Sequence, residues 1–257
     1  MPHQCVRCNK FYDDGSIEII KGCTCGGRLF FLGAGTSGRL GVIEAAECPP
    51  TFHTTPSLVQ AFIAGGRRAV FRSQEGAEDR GRDARALVRQ RIHTGDVVVG
   101  IAASGVTPFV TDGLREAAKR GAGTILVTCN PRSTAPAHIR IALSVGPEVL
   151  TGSTRLKAGT ATKLVLNMLT LGAMVQLGKT YGNLMVDVRP TSKKLRARAV
   201  RIIQTLTRCS PRHAESVLQL ARGRVKPAVV MLAQGLTYAA AKKQLAQHHG
   251  VLRRALQ

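Results

Sequence analysis

The chain has 257 residues, 44% of them hydrophobic, and carries 37 Lys and Arg against 15 Asp and Glu, a formal net charge of +22. With a mean hydropathy of +0.02, it is long enough to bury a substantial core as one domain, alone or with a small appendage. No charged-then-apolar leader opens the sequence, and its longest charge-free apolar run, 164–178, is shorter than the roughly 20 residues of a bilayer span. We therefore expect a cytoplasmic protein without a membrane partner.

The positive charge has two interpretations. Lys and Arg that neutralise phosphates release counterions, which favours nucleic-acid binding. However, the basic residues are scattered over 67–91 and 193–201, and the chain has only seven Phe, three Tyr and no Trp for base stacking. We favour a solvated basic surface that tolerates anionic ligands. Nucleic-acid recognition is the less favoured alternative, and the N-terminus is where we would expect it.

Four of the seven cysteines crowd the first 25 residues as CVRC and CTC, namely Cys5, Cys8, Cys23 and Cys25. Two close pairs of thiolates can surround one tetrahedral Zn²⁺, and so short a hairpin has almost no core without a metal. We expect a structural zinc there. Because the second pair is C-x-C and not C-x-x-C, accidental thiols or a redox pair are the alternatives. The isolated cysteines, Cys48, Cys129 and Cys209, are expected to be packing residues.

Residues 28–190 alternate short apolar runs with helical patterns. The runs are RLFFLG, LVQAFIAG, DVVVGIA, TILVTC and IRIALSVG, and helices are expected from about 37, over about 79–91, over about 108–120 and from about 154. This alternation predicts an α/β fold with a doubly wound parallel sheet. From about 191 the pattern becomes all-helical. The predicted domains are therefore a hairpin over 1–27, an α/β domain over 28–190 and a helical subdomain over 191–257.

The loop GAGTSG follows the first buried strand and opens a helix. Its glycines permit a tight turn, and the amides and hydroxyls of Thr36 and Ser37 gather at the helix N-terminus, where partial positive charge collects. Gly33, Gly35 and Gly38 have the spacing G-x-G-x-x-G, which is weak evidence of nucleotide binding when it stands alone. We predict an anion-binding site that includes Gly35, Thr36 and Ser37.

A second loop of the same kind follows the strand DVVVGIA. It reads ASGVTP and supplies Ser104, Gly105 and Thr107 before the next helix. The carboxyl ends of neighbouring parallel strands meet at one edge of a sheet, so the two loops are expected to converge on one phosphate. The structural alternative is that these hydroxyls are ordinary helix caps, and the same geometry would serve both roles.

Five stretches resemble, in order and spacing, the N-acetylmuramic acid 6-phosphate etherases of the sugar isomerase (SIS) superfamily: GAGTSGRLGVIEAAECPPTF, EGAED, DVVVGIAASGVTPFV, GPEVLTGSTRLKAGTATKLVLNML and GNLMVDV. The resemblance runs from about residue 27 to the C-terminus, and glucokinase regulatory proteins share the fold. It implies a SIS-type, flavodoxin-like sandwich. It also implies a homodimer that needs no catalytic metal or other cofactor and cleaves the D-lactyl ether of a sugar phosphate in the cytoplasm.

The resemblance assigns roles to two acids. Glu78 in EGAED is implied to be the base that removes the proton on carbon 2, and Glu47 in AAECPP the acid that serves the lactate leaving group. Glu148, Ser153 and Lys157 are implied to line the substrate site. Without the resemblance, Glu47 is simply a carboxylate near a helix end, and Glu78 a surface acid at a helix start.

Two departures separate this chain from the pattern. Val106 stands where the family usually has Arg, which removes one potential phosphate or sugar contact. The family's N-terminal helices are replaced by a cysteine-containing segment that resembles a small archaeal zinc-ribbon family. Two further hypotheses follow: a catalytically silent sugar-phosphate sensor on the same fold, and a zinc-hairpin adaptor for nucleic acid or protein with a ligand-sensing SIS domain.

Overall fold

A computed structural model of the chain describes His3–Gln4, Phe11–Tyr12 and residues 27–257. The two N-terminal pieces form an antiparallel pair, β1 (His3–Gln4) and β2 (Phe11–Tyr12). The predicted zinc ligands Cys5, Cys8, Cys23 and Cys25 lie outside the described residues, so the zinc site stays a prediction.

The chain forms two compact units. The first comprises Met1–Ala46 and Thr55–Thr170, and the second comprises Glu47–Thr54 and Leu171–Gln257. In chain order after β2 come β3 (Leu29–Gly33), α1 (Gly35–Phe52), β4 (Val59–Ile63), α2 (Arg67–Phe71), α3 (Gly81–Arg91), β5 (Val97–Ile101), α4 (Pro108–Lys119), β6 (Gly123–Thr128), β7 (Ile139–Ala142) and α5 (Lys157–Gln176). Helices α1 and α5 begin in the first unit and end in the second.

The first unit contains one parallel sheet with the strand order β4-β3-β5-β6-β7. Strand β3 is wholly buried and pairs on both sides, with Phe31 opposite Ala61 of β4 and Val99 of β5. The chain thus winds outward from β3 in both directions, which is the flavodoxin-like order, and its switch point lies between β3 and β5. The predicted doubly wound α/β fold is confirmed.

Helices cover both faces of the sheet. On one face, α4 approaches so closely that a Cβ added to Gly100 would lie 2.7 Å from atoms of Val110 and Leu114. On the other face, a Cβ added to Gly41 of α1 would lie 2.7 Å from Phe31. Since successive strand residues point to opposite sides, the apolar strands are buried from both directions, as their near-continuous hydrophobic runs predict.

The second unit is helical. Its helices are α6 (Lys193–Thr207), α7 (Pro211–Leu220), α8 (Val225–Gln234), α9 (Tyr238–Gln247) and α10 (Leu252–Ala255). Ser192, Ser210 and Thr237 cap three of these helices through their side chains. The core is apolar and includes Ile203, Leu218, Val229 and Leu252, all fully buried.

A buried ammonium lies within this helical core. The Nζ of Lys226 donates to Asp187 Oδ2 at 2.6 Å and to the carbonyl of Gly250 at 2.9 Å, and Lys179 Nζ lies 3.4 Å from the same carboxylate oxygen. Burial lowers the pKa of Lys226, while the attraction of Asp187 opposes that shift. Removal of either partner would leave an uncompensated buried charge, which is strongly destabilising.

The observed elements differ from the predicted ones mainly at their ends. Helix α1 begins at Gly35 and α5 at Lys157, two residues before and three residues after the predicted starts. The short helix Arg67–Phe71 was not predicted, because five residues carry too little periodicity. Among the described helices, α5 is long and apolar enough by composition to cross a bilayer, with 44% of its window buried; core helices of globular proteins meet the same criterion.

Candidate active site

The first predicted anion-binding loop forms a tight turn at the carboxyl end of β3. Gly35 has a φ of +52° and is the first residue of α1. A Cβ on Gly33 would lie 2.7 Å from the backbone nitrogen of Gly38, so only glycine lets the strand and the helix start come this close. The amides of Thr36 and Ser37 therefore lie at a helix N-terminus, where an anion is stabilised.

The second loop follows the neighbouring strand, β5, and hydrogen bonds to its backbone carbonyls hold it in place. Gly105 has a φ of +71°, and its carbonyl accepts a 2.7 Å hydrogen bond from the buried Ser133 hydroxyl. The carbonyl of Ser104 accepts from the Asn130 side-chain amide at 2.9 Å. Thr107 precedes α4, and within the described residues its hydroxyl makes no capping bond. Because β3 and β5 pair directly, the two predicted loops lie side by side.

The start of α5 is the third part of this edge. Glu148 accepts hydrogen bonds from the backbone N–H groups of Lys157 (3.0 Å) and Ala158 (2.9 Å). The bond from Ala158, then the bond and charge of Lys157, hold the pKa of Glu148 below its usual range against the opposing effect of desolvation. Glu148 thus caps the helix that carries Lys157. Whether it also touches substrate stays a prediction.

A cavity of about 400 Å³ lies between the second loop and the start of α5. Its lining includes Ser104, Cys129, Glu148 and Thr154. Thr36 also reaches the α5 start, because its Cγ2 lies 3.6 Å from the position that a Cβ on Gly159 would occupy. Ser153 belongs to the turn before α5, where its N–H bonds the Leu150 carbonyl. The predicted phosphate and substrate residues of the first unit are therefore grouped at one edge of the sheet.

Glu78 is tied to the same edge through its backbone. Its carbonyl accepts a 2.9 Å hydrogen bond from the Phe109 N–H, at the start of α4. The exposed Glu78 side chain helps line a smaller cavity of about 120 Å³ together with Gly35 and Arg39. This places the predicted base beside both predicted anion-binding loops.

Glu47, the predicted acid, lies in the other compact unit. It is an exposed residue of α1, beside the buried Cys48 and two residues before Pro49. Both acids are thus open to solvent in the single chain.

The sequence did not reveal the supports of the second loop. Asn130 and Ser133 lie 26 and 28 residues from their partners Ser104 and Gly105. The available signal was the polar turn CNPRS directly after a strand, at the same sheet edge. Cys129, expected to pack, is half-buried and lines the larger cavity; burial raises the pKa of its thiol, which favours the protonated form.

The chain matches two family descriptions and many curated relatives. The glucokinase regulatory protein N-terminal SIS domain matches residues 13–118, and the SIS domain matches residues 79–172. The N-acetylmuramic acid 6-phosphate etherase of Microcystis aeruginosa is 54% identical over 235 residues, which cover 90% of this chain and 77% of that protein. The Synechocystis etherase is 52% identical over 245 residues, covering 94% and 80%.

Among solved structures, the chain is similar to E. coli CFT073 c3406, with 20% identity, a TM-score of 0.48 and coverage of 65% of this chain and 78% of that one. Identities above one half over most of both sequences place this chain in the N-acetylmuramic acid 6-phosphate etherase family.

Proposed function

We propose that this protein cleaves the D-lactyl ether of N-acetylmuramic acid 6-phosphate to N-acetylglucosamine 6-phosphate and D-lactate, as a carbon-oxygen lyase of cytoplasmic cell-wall amino sugar recycling. One observation carries the proposal: two small hydroxyl-bearing loops meet at the switch point between β3 and β5, with Glu78 tied to the start of α4 beside them. The relatives that share more than half of the sequence support the same activity.

The phosphate would bind at the paired loops. The amides of Thr36 and Ser37 lie at the α1 N-terminus, and Ser104, Gly105 and Thr107 precede α4, so two helix N-termini can stabilise one dianion. Ser153 and Lys157, on the α5 side, would contact the rest of the sugar. Such contacts hold the reacting carbon atoms at a fixed distance from the base.

The chemistry would proceed by elimination and then addition. Glu78 removes the proton on carbon 2, which is acidic because it adjoins the aldehyde of the opened sugar. The bond between carbon 3 and the ether oxygen then breaks, and Glu47 donates a proton to the departing lactate. Water, activated by the Glu47 carboxylate, adds to carbon 3 of the unsaturated aldehyde, and the protonated Glu78 returns a proton to carbon 2, so that both acids recover their starting states. One acid must begin ionised and the other protonated, so their environments in the assembled site must differ.

D-lactate release by the parent chain, Glu47→Gln and Glu78→Gln tests this proposal. We expect release by the parent and a loss of at least about 100-fold in each variant, in line with general acid–base contributions. Glu75→Gln is the matched control, because Glu75 is also exposed and lines the same small cavity as Glu78. A folded parent that binds the sugar phosphate without releasing lactate would instead support the sensor hypothesis. That hypothesis has one favourable observation, the exposed Val106 in the second loop.

The assembly would be a homodimer. Leu164, Met168, Leu171 and Val175 form an exposed apolar stripe along α5, each between 49% and 68% exposed. Their spacing of four, three and four residues puts them on one helix face, and Ile43 of α1 is also 51% exposed. A second copy that covers this surface would remove it from water. Sedimentation of the parent and Met168→Glu tests this, with dissociation expected for the variant.

A structural zinc would be held by the N-terminal cysteines, and its support is their spacing alone. Cys5 and Cys8 form one pair and Cys23 and Cys25 the other, a set of thiolates that suits a tetrahedral ion with no open position for catalysis. We expect about one zinc per chain in the purified parent and none in a variant with Cys23 and Cys25 changed to Ser. Unchanged zinc content in that variant would exclude the site.

A further inference from the structure

We propose that Arg39 binds the carboxylate of the lactyl group and so selects the ether substrate over sugar phosphates that lack this group. The inference rests on the proposed function, and it names the residue that recognises the leaving group. The substrate carries two anions, the 6-phosphate and the lactyl carboxylate. The paired loops would hold the first anion, and the second needs a cation close to the reacting carbon atoms.

Arg39 lies one helical turn after the start of the first predicted anion-binding loop. It follows Gly35, the first residue of α1, by four positions, so the two residues share a face of the helix. Both line the cavity of about 120 Å³ to which Glu78 also belongs. This volume is below the roughly 300 Å³ of a site for a whole drug-sized ligand. The cavity therefore suits one substituent of a sugar and not the sugar itself.

The Arg39 guanidinium is held by one hydrogen bond that leaves its terminal nitrogens available. Its Nε donates to the carbonyl of Val70 in α2 at 2.9 Å. Among the described residues this is the only hydrogen bond of the guanidinium, and it has no ion pair. The two terminal nitrogens keep the forked donor geometry that matches a carboxylate. Other arginines of the same unit are instead paired with Asp or Glu, namely Arg28, Arg85, Arg89 and Arg115.

Arg39 is also the only cation in the described lining of that cavity, which contains two acids, Glu75 and Glu78. Glu75 accepts a 2.9 Å hydrogen bond from the Ser73 hydroxyl. In the part of the chain that the structure describes, no ion pair joins either acid to Arg39. A carboxylate that entered this cavity without a cation would be repelled by both acids. Arg39 offsets this repulsion, so the cavity can admit a carboxylate beside the predicted base.

The covalent structure of the substrate brings its carboxylate to this place. Glu78 is proposed to act on carbon 2, and the lactyl ether oxygen is bonded to the adjacent carbon 3. The carbon of the lactyl carboxylate is thus four covalent bonds from carbon 2, or at most about 5 Å. A substrate that is bound for proton removal by Glu78 therefore has its carboxylate close to the cavity that Glu78 and Arg39 share.

Kinetics with a pair of substrates test the assignment. N-acetylmuramic acid 6-phosphate is compared with its lactamide analogue, in which a neutral amide replaces the lactyl carboxylate. We expect the parent to have a kcat/KM at least about tenfold higher for the acid than for the amide, since hydrogen bonds between charged groups are that strong. Arg39→Gln should lose this preference through a lower kcat/KM for the acid alone. Because the two substrates are compared on the same enzyme, a difference in their intrinsic reactivity cancels between parent and variant.

Product inhibition separates a carboxylate contact from a phosphate contact. N-acetylglucosamine 6-phosphate keeps the phosphate but lacks the lactyl group, so its inhibition constant should be the same in Arg39→Gln and in the parent. Arg72→Gln is the matched control and should change neither quantity, because Arg72 is exposed and lies outside the described lining of the cavity. Arg39→Lys keeps the charge but not the forked donors, and it should show a reduced preference for the acid.

An Arg39→Gln enzyme that prefers the acid as strongly as the parent does would overturn the inference. Equal weakening of substrate and product binding would overturn it too, because Arg39 would then act on the phosphate or on the fold. If Arg39→Gln does not fold, Arg39→Lys decides, and an undiminished preference in that variant counts against the contact. A parent without D-lactate release would refute the proposed function instead. Calorimetry then still tests Arg39: the parent should bind the acid more tightly than the amide, and Arg39→Gln should bind both equally.

Discussion

Replacing Gly105 by Ala tests whether the second anion-binding loop depends on a residue without a side chain. Gly105 has a φ of +71°, and a left-handed backbone costs a non-glycine residue about 1–2 kcal/mol. The added Cβ would lie 2.5 Å from Ser133 Cβ and Oγ and 2.8 Å from Thr128 Oγ1, and overpacking of this kind costs about 1–3 kcal/mol more. We expect Gly105→Ala to lower the free energy of unfolding by about 3 kcal/mol.

Gly95→Ala is the matched control. Gly95 belongs to the same unit and has a φ of +88°, and among the described residues no neighbouring atom lies within 4 Å of an added Cβ. It should lose only the backbone contribution of about 1–2 kcal/mol. Urea unfolding followed by circular dichroism gives both values, provided that the slopes agree. The reasoning is wrong if the free energy of unfolding falls no more in Gly105→Ala than in Gly95→Ala.

Three further predictions concern charge. Val106→Arg should lower the KM for the sugar phosphate about fivefold, since an exposed charged contact contributes up to about 1 kcal/mol. Val149→Arg is the control: Val149 is 97% exposed, and the substitution adds the same charge but should leave the KM unchanged. The depressed pKa of Glu148 gives a stabilisation that is present above the unfolded-state pKa and is lost as the pH falls through the folded-state pKa. Glu148→Gln should therefore lose less stability in acid than the parent does. Urea midpoints of the variant that fall with pH as steeply as the parent's would contradict this. Burial lowers the pKa of Lys226, so the unfolded chain binds that proton more readily than the folded chain does. The free energy of unfolding should therefore rise with pH in the alkaline range below the ordinary lysine pKa. Lys226→Met should flatten this rise, and an unchanged pH profile would count against the prediction.

The sequence was sufficient to predict the sheet and the two glycine- and hydroxyl-containing turns that follow β3 and β5. Strand β3 is wholly apolar and runs directly into glycine and hydroxyl residues, so the strand, the turn and the helix N-terminus follow from local chemistry. The same holds for β5 and ASGVTP. Gly35 and Gly105, singled out by composition and spacing, both have positive φ values.

Other features depend on contacts between distant residues. The bond from Ser133 to Gly105 and the bond from Asn167 to Glu44 link positions 28 and 123 residues apart, and no local pattern specifies such pairs. The start of α5 was placed three residues too early, because the preceding turn at Ser153 and Thr154 has the residue types of a helix cap. In the structure the capping carboxylate comes instead from Glu148, nine residues before Lys157.

The position of Glu148 also decides how many anions the site can take. Helices α1, α4 and α5 begin at the three predicted binding segments of this edge, and each N-terminus offers backbone N–H groups to negative charge. At α5 the protein has filled that position with its own carboxylate, which acts as a permanent internal ligand. The starts of α1 and α4 are then the ones that remain for an incoming phosphate, so one chain should hold a single phosphate, and removal of the internal carboxylate should create room for a second.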